Sequence, residues 1–263
     1  MSGLTAKSQQ LKAIMRRIAF LVAYDGAAFC GSQRQSNGKS VQGELERAIE
    51  RVLKHSASVA LAGRTDAGVH ATGQVGMFET ENQSLPAERV PLALNSVLDR
   101  AVRVREGRLV EPRFHPRFSA QGRVYRYRFE LASIASPMIR HQAALLKTEP
   151  DIAAMRAGAE AFIGRQDFAA WQSAGSPTPS TVRTVKRLEI KKSEALGSEI
   201  LEIEIEADAF LYQMVRNIVG ALIEVGQGKL AYDDLRRLTN GLDRTKCPPP
   251  APPQGLCLVE VKY

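Results

Sequence analysis

Ser58 to Glu79 read SVALAGRTDAGVHATGQVGMFE. Ser58 to Gly63 and Gly73 to Glu79 have the composition of two strands flanking the polar segment Arg64 to Thr72. Within eight residues, Gly63 to His70, the chain collects a cation, a carboxylate, an imidazole and two glycines. Loops held between rigid strands are where catalytic groups gather. Gly63 and Gly68 let the backbone approach a ligand closely or adopt positive φ. Asp66 can therefore be a nucleophile, a general base or a metal ligand. The same Thr65-Asp66-Ala67-Gly68 also suits an ordinary turn, with Asp66 capping its own backbone. His70 lies four residues beyond Asp66, but a loop has no helical face to make that spacing useful.

Outward from this loop the pattern is mixed. Arg17 to Tyr24 alternates Ile18, Phe20, Val22 and Tyr24 on one face and ends at the turn pair Asp25-Gly26. Ser40 is a good N-cap for a helix carrying Val41, Leu45, Ala48, Ile49, Val52 and Leu53. Pro86 to Leu98 reads as a second helix and Ala101 to Arg105 as a short strand. Arg123 to Leu131 alternates cleanly, with Tyr125, Tyr127, Phe129 and Leu131 opposite Arg126, Arg128 and Glu130. A helix over Asp151 to Ile163 follows, then a Ser/Pro/Thr-rich loop and strands at Thr181 to Lys191 and Ile200 to Ala209. The last of these sets Leu201, Ile203 and Ile205 against Glu202, Glu204 and Glu206. Leu211 to Val225 is the most apolar helix. Tyr232 to Asn240 is a shorter one, and Gly255 to Lys262 a final strand. Strands followed by helices, twice over, predict an α+β fold of two similar halves around a mixed sheet. The halves divide near Pro112, giving 17–112 and 113–263 after a disordered lead-in over 1–16.

Composition bounds the function. Of 263 residues, 44% are apolar and 24% charged, which excludes a disordered or fibrous chain. The longest apolar runs, such as Ile18 to Ala23, are too short to cross a bilayer, so no membrane partner is expected. The polar N-terminus has no apolar core of signal-peptide type and resembles a transit peptide only faintly. Cys30, Cys247 and Cys257 are odd in number and lack CxxC spacing. That fits neither a disulfide framework nor a zinc ribbon, and a cytoplasmic protein is expected. No histidine lies near a cysteine, so no metal site is expected. Neither a GxSxG elbow nor a phosphate-cradling glycine loop is present.

The formal net charge is +8, which suits an anionic partner. Ala101 to Arg140 holds nine arginines against three glutamates, interleaved with Phe114, Phe118, Tyr125, Tyr127 and Phe129. Two readings compete here: a solvated strand face with aromatics turned inward, or a nucleic-acid surface in which Arg123, Arg126 and Arg128 bind RNA. Arg216 is a second misfit, a cation inside the apolar run Leu211, Met214, Val215, Ile218 and Val219. It either snorkels to solvent or faces a carboxylate across a cleft. Asp66 is an attractive partner, because a neighbouring guanidinium favours the ionised form a nucleophile needs.

Gly63 to Ala71, GRTDAGVHA, resembles the signature of the A-type tRNA pseudouridine synthases. Further blocks agree in order: Tyr24-Asp25-Gly26 with Phe29, Gly31 and Gln33; Ala93-Leu94-Asn95; Phe114-His115 with Arg117 to Ala120; Arg123 with Tyr125 and Tyr127; Gly164 with Asp167-Phe168; Met214 to Gly220; and Pro253 to Leu258 with Tyr263. The resemblance implies a curved antiparallel sheet with a central cleft, a homodimer, and tRNA as partner. It implies conversion of uridine to pseudouridine at positions 38, 39 and 40 of the anticodon stem-loop, without metal or organic cofactor. It also places the catalytic aspartate at Asp66, the base-contacting tyrosine at Tyr125, a neighbouring arginine at Arg64 and the pairing arginine at Arg216. Such chemistry detaches uracil from C1′, turns it and rejoins it through C5. The carboxylate either attacks the sugar or base, or a glycal forms by proton loss from the sugar. The base must first leave its stack, and Arg64 is placed to fill the gap. Three positions depart from the family: Ser32 in place of tryptophan, Asp99 in place of proline and Gln166 in place of histidine. A non-catalytic RNA-binding protein, and a synthase acting on another RNA, are the alternatives.

Overall fold

The computed structural model describes residues 15–263 except 37, 176, 177 and 242. The lead-in expected over 1–16 falls mostly outside the described residues, and Arg16 already belongs to the first strand, β1 (Arg16–Tyr24). The inward side of β1 is Ile18, Phe20, Val22 and Tyr24, all at most 5% exposed. They pack on α1 (Val41–Leu53) through Val41, Leu45 and Ile49. Ser40 caps that helix, its hydroxyl accepting the Gly43 N–H at 3.2 Å.

Next come β2 (Ala60–Leu61) and β3 (His70–Thr80). Thus β3 begins three residues earlier than the sequence pattern indicates. The reason lies far away in the chain: His70 and Ala71 pair in parallel with Cys257 and Leu258 of the last strand, which no local periodicity reveals. The helix expected over Pro86 to Leu98 is a 3-10 turn at Ala87–Arg89 and a short α2 (Val90–Asn95). β4 (Val102–Leu109) and β5 (Gly122–Leu131) follow. Two short strands, β6 (Ala144–Leu146) and β7 (Gly164–Asp167), carry too few residues for an alternation to register. α3 (Ile152–Ala159) lies between them and gives way to a 3-10 turn, Glu160–Phe162. The chain continues through β8 (Val182–Ala195), β9 (Ser198–Ala207), α4 (Met214–Gly226), α5 (Tyr232–Gly241) and β10 (Leu256–Lys262).

The strands form one open mixed sheet in the order β4-β1-β3-β10-β5-β9-β8-β7, with β2 beside β3 and β6 beside β5. Among the described residues, β3–β10 and β5–β6 are parallel pairs and the others antiparallel. Register shifts interrupt β1, β8 and β10, and such bulges bend the strands that carry them. This is the α+β fold expected. A continuous apolar layer runs from Phe20 and Phe78 through Tyr127 to Trp171, Phe162 and Leu222. The other sheet face is polar across β5, β9 and β8, where Arg126 lies opposite Glu204, and Arg128 opposite Glu202. The helices therefore share the apolar side, and the cleft opens there, above the centre of the sheet.

Candidate active site

The loop between β2 and β3 forms the floor of the cleft, which Tyr125 of β5, the Phe210–Arg216 approach to α4 and the Gly31–Gln35 segment complete. The loop is a turn after all. Val69 N–H reaches the Asp66 carbonyl at 3.2 Å, and Gly68 takes φ +80°. A backbone carbonyl closes the turn, which leaves the Asp66 carboxylate for the cleft. Its Oδ2 accepts a hydrogen bond from Arg216 Nη1 at 3.0 Å. Arg216 Nε in turn donates to the Ala251 carbonyl at 2.7 Å, so the guanidinium is aimed from two sides. The apolar helix thus gives its one misfit cation a carboxylate partner.

Beneath Asp66 the loop is clamped on both flanks. Gln74, fully buried, receives the Gly63 N–H at 3.2 Å and donates to the Gly63 carbonyl at 2.8 Å. Thr65 N–H reaches Ser32 Oγ at 2.8 Å, and Ser32 N–H returns to the Thr65 carbonyl at 3.0 Å. The Tyr24 and Thr65 hydroxyls share a 2.8 Å bond. Burial pushes the Tyr24 hydroxyl up to about 12, against the pull of Thr65 and Gln74, so it stays protonated. The end of the loop is fastened by Gly26, whose N–H donates to His70 Nδ1 at 3.0 Å. A Cβ on Gly26 would lie 2.2 Å from the Val69 carbonyl oxygen, so only glycine fits. The two motifs Tyr24-Asp25-Gly26 and Gly63 to Ala71 are in this way one unit.

The departures have local partners too. Ser32, where tryptophan was expected, is the hydroxyl that holds Thr65. Asp99 pairs with Lys39 at 2.6 Å and receives the Ala101 N–H. Gln166 donates to the Ala161 carbonyl at 3.1 Å.

Tyr125 is 7% exposed and meets the Phe210 ring edge-on at 5.1 Å between centroids. Burial, reinforced by Tyr24, raises its hydroxyl above the ordinary tyrosine range. Arg64 is exposed at the cleft, with no hydrogen bond or ion pair among the described residues. Asp66, Arg216, Tyr125 and Arg64 are therefore together. The three remaining arginines are not a set. Arg123 reaches the cleft, but its guanidinium is spent on the carbonyls of Asp208, Ala62 and Arg117 at 3.0, 3.1 and 2.9 Å. Strand alternation turns Arg126 and Arg128 to the opposite face. There they bind Glu204 and Glu202, each at 2.8 Å. The expected RNA surface of these three thus does not form on the cleft side. Arg34, Arg117 and Phe210 line the cleft and were not singled out as site residues. Arg117, inside the arginine-rich segment, was the one with a signal.

The family model for tRNA pseudouridine synthase matches residues 20–119 and 159–263. The chain belongs to the tRNA pseudouridine synthase family. It is 40% identical over 95% of its length to a tRNA pseudouridine synthase A of Geobacter sp. (strain M21), of which it covers 99%. The counterpart in Citrifermentans bemidjiense is 41% identical, with 95% of this chain and 98% of that one covered. The Neisseria gonorrhoeae one is 39% identical, with 94% and 92% covered. Members of this family are isomerases, and residues 63–67 and 69 of the matched region line the cleft described above.

Proposed function

We propose that the chain isomerises uridine to pseudouridine at positions 38, 39 and 40 of the tRNA anticodon stem-loop, with Asp66 as nucleophile. The observation that carries this reading is the Asp66–Arg216 pair at 3.0 Å in a cleft walled by Tyr125. The half up to residue 112 supplies Asp66 and Arg64, and the half from 113 supplies Tyr125 and Arg216. The target uridine swings out of its stack, and the free guanidinium of Arg64 takes the vacated space. An Asp66 oxygen bonds to C1′ as the C1′–N1 bond breaks, its electrons leaving on uracil. The base turns, C5 bonds to C1′ and the carboxylate departs. Loss of the C5 proton and protonation of N1 complete the exchange. Arg216, tied to Ala251, keeps the carboxylate pointed at the sugar. Tyr125, neutral because buried, covers the base, offers it a hydroxyl donor and shields the detached uracil from water on that side. The enzyme is taken to be a cytoplasmic homodimer needing neither metal nor organic cofactor, as the family resemblance suggests. Tritium release from tRNA labelled with [5-³H]uridine tests the chemistry: Asp66→Asn is expected to lose nearly all of it, and release at the wild-type rate sinks the assignment. Mapping pseudouridine in tRNA from a strain lacking the protein tests the positions.

A further inference from the structure

The turn Phe114 to Ala120 stands at the edge of the cleft, which Arg117 helps to line. Its backbone is held from below by five side chains. His115 Nδ1 accepts the N–H groups of Arg117 and Phe118 at 3.1 and 3.4 Å. The hydroxyl of Ser119 accepts the His115 N–H at 3.0 Å. Tyr263 donates to the Pro116 carbonyl at 2.8 Å, Arg123 to that of Arg117 at 2.9 Å, and Arg17 to that of Phe114 at 3.3 Å. Burial, then the nearby Arg117 and Arg17, push His115 below its ordinary value, which suits an imidazole nitrogen that accepts two bonds. On this fixed turn the Phe118 ring is left 76% exposed. The Arg117 guanidinium lies 5.7 Å from its centroid and the His115 ring 4.5 Å.

A large aromatic ring held rigidly in solvent gains nothing from the fold, yet it loses little entropy when it binds. One of its neighbours, Arg117, is a cation, so an anionic partner with flat apolar faces fits. We propose that Phe118 is a stacking platform for an unpaired nucleobase of the RNA strand entering the cleft, with Arg117 meeting the adjoining phosphate. This rests on the functional reading above. Stacking accepts any base. A platform of that kind suits an enzyme that must present three neighbouring uridines to one carboxylate.

The chain's single tryptophan, Trp171, is fully buried, so Phe118→Trp places a lone exposed reporter on the platform. Unmodified tRNA is expected to quench its emission with the midpoint found by filter binding. Phe118→Ala and Phe118→Leu are expected to weaken tRNA binding by about tenfold or more. Phe118→Tyr is expected to keep it, and all four variants to melt near the parent temperature. An unquenched Phe118→Trp, or a Phe118→Ala that binds within about twofold of the parent, overturns the proposal. So does a Phe118→Ala that elutes at half the parent's mass, since the ring would then serve a second copy of the chain. If the parent itself neither binds tRNA nor releases tritium, the functional reading fails, and the platform with it.

Discussion

Strand β5 uses the same residue type in opposite ways on its two sides. Toward the cleft stand Tyr125 and Arg123, near the Asp66–Arg216 pair and the uncommitted Arg64. Away from it, Arg126 and Arg128 are each closed by a glutamate of β9, and Arg187 and Lys191 of β8 reach the same two acids. On the cleft face Arg123 is held by neutral carbonyls and Arg64 is unpaired among the described residues, whereas on the other face a carboxylate cancels each arginine's charge. A count of arginines along the chain cannot tell them apart, because availability is decided by what the neighbouring strand presents in register.

The comparison can be broken or sharpened in several ways. The largest effect belongs to the cleft: Asp66→Asn should lower the rate of tritium release by about 10³-fold or more while tRNA binding persists. Arg216→Ala should lower kcat by about 10²-fold, since the carboxylate loses its aim but not its identity, and single-turnover kinetics would check it. On the other face, Arg128→Ala should cost about 1–3 kcal/mol in denaturant unfolding, because the buried Glu202 loses its 2.8 Å partner. Its tRNA affinity should match the parent's. A weakening as large as that of Arg64→Ala would erase the distinction between the faces. Arg117→Ala should flatten the log–log salt dependence of tRNA binding by about 0.7–0.9, one phosphate's worth, whereas Arg126→Ala should leave the slope alone.

The smallest effect is alkaline. Tyr24 is raised by burial from 10.0 to about 12, so folding favours its protonated form. That contribution is complete below about pH 10 and is lost as pH rises through about 12. Urea unfolding from pH 9 to 12 should therefore fall off only above about pH 10, and less steeply in Tyr24→Phe.

Much of this was legible in the residues. Long alternations announced β1, β5 and β9, and Ser40 marked the start of α1, because those signals are local. The Asp66–Arg216 contact was half legible: Arg216 in an apolar helix called for either solvent or a carboxylate, and the carboxylate it meets sits 150 positions away in the chain. What stayed hidden depends on distant pairing. The early start of β3 at His70 needs β10 beside it. The fate of Arg126 and Arg128 needs the register of β9, although its Glu202, Glu204 and Glu206 were already visible as an acidic face. Sequence shows the charge of Arg123 and not the three carbonyls that fix its guanidinium.

Strand β10 lies between β3 and β5 in the sheet, and so couples the strand that follows the Asp66 loop to the one that carries Tyr125. During synthesis the cleft walls must wait for it. A nascent chain that has delivered everything up to α5 owns Asp66, Tyr125 and Arg216 but has no strand between β3 and β5 to join them in one sheet. The cleft is thus complete only when residues 256–262 take their place between β3 and β5. A chain without that strand carries Asp66 on one piece of sheet and Tyr125 on another.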